Sequence, residues 1–222
     1  MLNDDSGFNF WPSFTDLMLS LVLVVLIILY VVSKMISSGS ENLERARKSQ
    51  QAIQTQIEKE IGSNYKITVI SDKDDKETTK KRREAQSDIC IINKLDRQTI
   101  TFSDKILFDT NQAELKPEAN TVLQAVGPVI KNNSDNISEI QIQGHADNRG
   151  RFSHNLKLAA DRALAVFRFL HDPIGIDPTK YLMSATSFGM FKPVGREAGM
   201  GAYPNEKIDA ANATDDLKAQ NR

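Results

Sequence analysis

At 222 residues and 24.8 kDa the chain has room for one compact domain plus additions, and 26% charged against 40% apolar residues excludes wholesale disorder. A net charge of −1 provides no field for gripping a polyphosphate backbone, so no nucleic-acid partner is expected. A single cysteine, Cys90, excludes an intrachain disulfide and a cysteine metal cluster.

Residues 1–10 form a leader carrying Asp4 and Asp5, without the basic start of a cleaved signal peptide. From Leu17 to Val32 every residue is apolar except Ser20 and Tyr30. The stretch from Phe14 to Ile36 holds 23 residues, enough at about 1.5 Å each to cross roughly 30 Å of hydrocarbon. A single transmembrane helix is therefore expected over 11–36, with Trp11 and Lys34 at the two interfaces. Asp16 is the informative residue, a carboxylate about one turn inside this apolar run. A mid-span Asp costs about 2.5–3.5 kcal/mol to insert, so such acids face a protein interior or a water-filled path and often relay protons. The same segment also reads as a helix start, with Ser13 as N-cap and Asp16 closing a capping box. Both readings stay open. Ser20 lies one turn beyond Asp16 on the same face and extends a narrow polar stripe.

A helical linker is expected over 37–62, started by Ser38 with Glu41 and supported by the Glu41/Arg45 and Glu44/Lys48 pairs. Leu43, Ala46, Ile53 and Ile57 make either a weak parallel dimer seam or a thin stripe on a solvated spacer. The mixed charges of Ser71 to Ser87 read as a mobile surface loop. Strands are expected at Tyr65–Ile70, Ile89–Asn93 and Thr99–Phe102, with Cys90 a buried strand residue, and again around Ile140–Ile142 and at Tyr181–Phe188. Between them fall two helices. One starts at Pro117 and turns Ala119, Val122, Leu123 and Val126 to a core; the other carries Leu156, Ala160, Ala163, Phe167 and Leu170 on one stripe and stops before Pro173. Residues 63–222 thus read as an α/β sandwich with helices on one sheet face.

Between the Ile140 strand and the Leu156 helix runs Gly144-His145-Ala146-Asp147-Asn148-Arg149-Gly150, followed by Asn155, Leu158, Ala159, Arg162 and Ala163 on the helix. This pattern resembles the OmpA/Pal/MotB peptidoglycan-binding family, whose signature is similar to G-H-T-D-x-x-G followed by N-x-x-L-S-x-x-R-A. Ala146 stands for the usual Thr and Ala159 for the usual Ser. Ile106–Asp109 and Leu115–Glu118 resemble the family's opening strand and helix, so the likeness covers about residues 88–222. The resemblance implies an α+β OmpA-like sandwich domain that holds diaminopimelate of the peptide stem. Asp147 would take its ammonium, Arg162 would fork onto its carboxylate, and Asn155 would add amide contacts. Without the resemblance, Asp147 and Arg162 read as a plain ion pair with each other. No metal or cofactor is expected, since His145 has no suitably spaced partner ligand. Nor do Ser153 and His154 form a catalytic set, so an enzyme is not expected. Lys218–Arg222 resembles the start of the family's N-R-R-[IV]-E-[IV] closing strand. The expectation is that the native polypeptide continues past Arg222 with that strand, or else that Tyr65–Ile70 closes the sheet.

Joining a span that bears Phe14-Thr15-Asp16-Leu17-Met18 to this wall-binding domain resembles the MotB family, the B subunits of ion-driven stators. Trp11 to Met18 is similar to the segment found in ZorB-type subunits of Zorya anti-phage defence. This second resemblance implies that Asp16, with Ser20 beside it, would carry a proton or another cation. It also implies that two copies of the chain would sit within a ring of multi-span, MotA/ZorA-like A subunits, with 37–62 plugging the path until the wall is engaged. The N-terminus would then be cytoplasmic and the C-terminal domain periplasmic. Positive-inside counting, with Lys34, Arg45, Arg47 and Lys48 after the span, favours the opposite sense, a rule that weakens before a long domain. A passive membrane-to-peptidoglycan tether and a flagellar-type stator subunit stand as alternatives.

Overall fold

The structure is a computed structural model and describes residues 11–84, 87–194, 196 and 199–222. The expected leader, with Asp4 and Asp5, lies outside these residues. The first element is a 51-residue helix, α1 (Trp11–Ile61). The chain divides into two compact units, Met1–Arg47 and Lys48–Arg222, so α1 contributes to both.

In the first unit the helix is long and apolar enough to cross a membrane. Its large side chains from Leu17 to Val32 are all exposed, as are Met35 and Ile36. Two sequence expectations change here. The helix already includes Trp11, Pro12 and Ser13, so Ser13 does not stand outside it as an N-cap and Asp16 does not close a capping box. Nor does a second helix begin at Ser38, since Ser37 to Ser40 are helical and the Ser38 hydroxyl donates back to the Met35 carbonyl at 3.1 Å. Gly39 is tolerated within a helix at a cost of about 1 kcal/mol relative to Ala.

The second unit begins with the last turns of α1, whose Ile53, Ile57 and Ile61 are buried at i, i+4 and i+8. The expected dimer seam is therefore corrected at Ile53 and Ile57, which are consumed in the chain's own core. Polar contacts fix this segment further. Gln50 Nε2 donates to the Lys94 carbonyl, Gln98 Nε2 donates to the Gln50 carbonyl, and Asn93 Nδ2 donates to Gln54 Oε1, each at 2.9 Å.

Next come β1 (Ile67–Ser71), α2 (Lys76–Glu84), β2 (Ile89–Asn93) and β3 (Gln98–Phe102). β1 runs parallel to β2 with Ile67 opposite Ile89, and β3 runs antiparallel to β2 with Phe102 opposite Ile89. Ile89 and Ile91 alternate into the core, while Cys90 on the other face is half-buried rather than buried. α2 takes up residues 76–84 of the loop expected over Ser71 to Ser87. Asp75 starts it by accepting from the Thr78 amide at 3.3 Å, and Glu77 and Lys81 pair one turn apart at 2.9 Å.

A short α3 (Asp104–Leu107) leads to α4 (Pro117–Asn132), with Pro117 in the first turn where no amide is needed. Ala119, Val122, Leu123 and Val126 are buried as the periodicity requires, and they join Ile53, Ile57, Ile89 and Ile91 in one core. The chain then forms a β-α-β unit, in which β4 (Glu139–His145) and β5 (Leu182–Gly189) are parallel and α5 (Phe152–His171) connects them. Two short helices, α6 (Asn205–Ala211) and α7 (Asp215–Gln220), complete the described chain.

The fold class is the expected one, a long apolar helix followed by an α/β domain. The single sheet is divided, however, into β1-β2-β3 and β4-β5. β1 pairs with β2 and so does not close the β4-β5 sheet. A second correction concerns α5, whose buried positions are Asn155, Ala159, Arg162, Ala163 and Leu170, while Leu156 and Ala160 are exposed. Ala163 and Leu170 are buried as expected, but two of the other inward positions are polar, and apolar periodicity alone points to Leu156 and Ala160 in their place.

Candidate functional site

The signature segment leaves β4 at a bulge between Gly144 and His145 and crosses to the start of α5. Gly144 permits α5 to lie against the strand, because a Cβ there would stand 1.8 Å from the Ala159 carbonyl oxygen. Gly150 turns the chain with φ +85°, in the left-handed region that favours glycine. Between them, Asp147 is held under the loop with only 5% of its surface exposed.

Asn155 braces that loop. Its Nδ2 donates to the Asp147 carbonyl at 3.0 Å and to the Arg149 carbonyl at 2.7 Å, which uses both amide hydrogens. The residue is buried, and these two bonds hold the backbone on either side of Asn148.

The carboxylate of Asp147 is claimed within the chain. Oδ1 accepts from the Arg149 amide at 2.9 Å, and Oδ2 meets Arg149 Nε at 2.9 Å and Nη2 at 2.8 Å. Arg222 Nε lies 3.4 Å from the same Oδ2. The hydrogen bond to Asp147, and then its charge, raise the Arg149 guanidinium above its ordinary value, so it stays cationic.

Arg162 is one turn beyond Ala159 on the same stripe of α5 as Asn155. Its Nη1 is 2.7 Å from Asp104 Oδ1, Nε donates to the Gln112 carbonyl at 2.8 Å, and Nη2 donates to the Asp109 carbonyl at 3.1 Å. The guanidinium carbon sits 4.9 Å from the centre of the Phe108 ring. Burial is the main influence on both partners: it pushes the Asp104 carboxyl up and the Arg162 guanidinium down, against the attraction between their charges. Arg222 Nη1 lies 3.3 Å from Asp104 Oδ2 and links the two acids.

Asp147 and Arg162 thus share one cluster without pairing with each other. The partners that sequence reading missed are Asp104, Arg149 and Arg222. Arg149 lay in plain view inside the signature, whereas Asp104 and Arg222 are brought in from distant points of the chain. Two carboxylates against three guanidiniums leave one surplus positive charge, suited to an anionic group on a ligand that also carries a cation for Asp147. His145, next in the signature, stacks on Phe188 with ring centres 5.6 Å apart. Burial, then the charge of Lys192, hold its imidazole below the ordinary value, so it is neutral near pH 7 and adds no charge to the cluster.

The other two residues singled out from sequence lie in the first unit. Asp16 is exposed on α1, and the Ser20 hydroxyl, one turn on, donates to the Leu17 carbonyl at 2.8 Å.

Known proteins resemble this chain in sequence and in fold. The sequence model of the OmpA family matches residues 107–215, which include Asp109, Asp147, Asn155 and Arg162. A peptidoglycan-associated lipoprotein of Agrobacterium fabrum is 33% identical over 96 residues, 43% of this chain and 51% of the lipoprotein, so the chain spans about half the length of that relative. The uncharacterized protein YtxE of Bacillus subtilis is 24% identical over 205 residues, covering 86% of this chain and 82% of its own. Among solved structures, a MotB-like protein from Desulfovibrio vulgaris superposes with a TM-score of 0.54 at 21% identity, covering 82% of this chain and 90% of that one, which is a likeness of fold. Residues 107–215, with the signature loop and α5 at their centre, match the sequence model of the OmpA family, and a long apolar helix precedes them in the chain.

Proposed function

We propose that this chain is the wall-anchoring B-type subunit of a cation-driven stator in the inner membrane, working in anti-phage defence. The observation that carries the reading is the presence, in one chain, of an apolar helix bearing an acid near its start and an OmpA-like domain bearing a buried Asp/Arg cluster. α1 spans the membrane with its N-terminus cytoplasmic, and the OmpA-like domain lies in the periplasm. Asp147 receives the ammonium of the peptide stem, while Arg162 and Arg222 supply the positive field for its carboxylate.

Asp16 carries the cation. One helix cannot enclose a path, and an acid on an otherwise apolar helix needs polar neighbours, supplied by a multi-span A-type ring and a second copy of this chain. Loss of the capping-box reading supports this role, because the helix start no longer explains why an acid stands there. The defence role rests on the likeness of Trp11 to Met18 to ZorB-type subunits.

Sedimentation of the detergent-solubilised chain with purified peptidoglycan tests the wall-binding part. The wild-type chain should pellet with it, and Asp147→Ala should lower the affinity about tenfold or more, the loss expected for removing one charge-assisted partner. Equal pelleting of the two proteins would remove Asp147 from the site.

A further inference from the structure

Asp147 presents one carboxylate oxygen, Oδ2, to the outer part of the cluster, and Arg149 already occupies it with two N–H groups at 2.9 and 2.8 Å. The Asp147 side chain is 7% exposed and that of Arg149 is 53% exposed, so the guanidinium covers the acid on its solvent side. An incoming ammonium needs the same oxygen.

We propose that Arg149 is an internal competitor, a guanidinium latch that fills the cation position of the wall site and must swing out before an ammonium-bearing peptide stem can bind. This inference rests on the peptidoglycan reading above and adds to it a residue that sets affinity and selectivity. The latch is built to move. The Arg149 side chain is 53% exposed, and a Cβ on the following Gly150 would meet nothing closer than 4.0 Å, so the neighbouring atoms leave the guanidinium room to swing. The acid, by contrast, stays in place when the latch opens. Asn155 holds the Asp147 and Arg149 carbonyls, and the Arg149 amide holds Oδ1, contacts that do not involve the guanidinium.

The chemistry sets a selection rule. A ligand group displaces Arg149 only if it brings its own positive charge to Oδ2, because a neutral amide would leave a nearly buried carboxylate with Arg222, at the longer distance of 3.4 Å, as its remaining cation. Peptide stems with a free ammonium are therefore accepted, and stems in which that amine is acylated are refused.

The test uses the full-length chain in detergent, with intact peptidoglycan and with peptidoglycan whose free amines have been acetylated. Arg149→Ala should bind untreated peptidoglycan about tenfold more tightly than wild type. Arg149→Lys, which keeps the charge but not the two-pronged contact, should fall between them. The gain should vanish on the acetylated material. Weaker or unchanged binding by Arg149→Ala would overturn the latch, as would a gain of equal size on acetylated peptidoglycan. Failure of the wild-type chain to bind either preparation would instead overturn the peptidoglycan reading itself.

Discussion

Replacing Arg162 by alanine should lower the stability of the C-terminal unit by about 3–5 kcal/mol, the cost of stranding one partner of a buried ion pair. For a unit of this size that corresponds to a fall in Tm of about 10 °C. Side-chain exposures of 5% for Arg162 and 7% for Asp104 leave water little access to either charge. The substitution also strips the Gln112 and Asp109 carbonyls of their donors and uncovers the Phe108 ring. Arg222 would be the remaining cation on Asp104, at 3.3 Å. Lysine should rescue only part of the loss, since one ammonium cannot reach a carboxylate and two carbonyls in the fixed geometry of a guanidinium.

The loss should also depend on pH, with a definite sign. Burial already raises the Asp104 carboxyl above its ordinary 3.8, and loss of Arg162 removes the largest opposing influence. In Arg162→Ala, native Asp104 therefore holds a proton at pH values where the unfolded chain does not. Stability conferred by such a raised acid increases as pH falls through the folded value towards 3.8. The deficit relative to wild type should be largest near neutrality and should shrink on acidification, as read by thermal melts across that range. A deficit that grows on acidification would show that Asp104 is not the stranded group.

The second large effect is expected at Asp16. In Asp16→Asn the side chain keeps its size and most of its hydrogen bonding but cannot ionise. The variant should insert and assemble like wild type yet lose ion-driven activity completely, measured as phage protection in cells or as cation flux with the A-type partner present. Retained activity would eliminate cation transport through Asp16 and leave the passive tether. Ser20→Ala should have a smaller effect, because its hydroxyl is already satisfied by the Leu17 carbonyl of its own helix.

Much of the fold was legible because its strands and α4 follow simple periodicities. β2 is bounded at Ile89 and Asn93 as read, and Pro117 marks the start of α4. α5 was harder for a physical reason: its inward stripe contains Asn155 and Arg162, so the residues that build the site are those that break the apolar pattern. Ser38 failed as a start signal because a serine inside a helix can return its hydroxyl to the preceding turn. At the site, Asp147, Asn155 and Arg162 were visible as residues, but their partners were not. The Asp104–Arg162 and Asp147–Arg222 contacts join segments remote in sequence, and no local spacing encodes them. Arg149 was close enough to read, yet its pairing with Asp147 depends on the tight turn in which the Arg149 amide donates to Asp147 Oδ1 and brings the guanidinium back to the acid.

The proposed tie between membrane and cell wall can be tested for both attachments at once. Lipid vesicles carrying the full-length chain, with a fluorescent lipid as reporter, can be mixed with purified peptidoglycan and spun at a speed that pellets peptidoglycan but not vesicles. Lipid fluorescence is expected in the pellet for vesicles bearing the wild-type chain, and much less for those bearing Asp147→Ala or for empty vesicles. Vesicles that carry the inserted chain but leave their lipid in the supernatant would contradict the tie between membrane and wall.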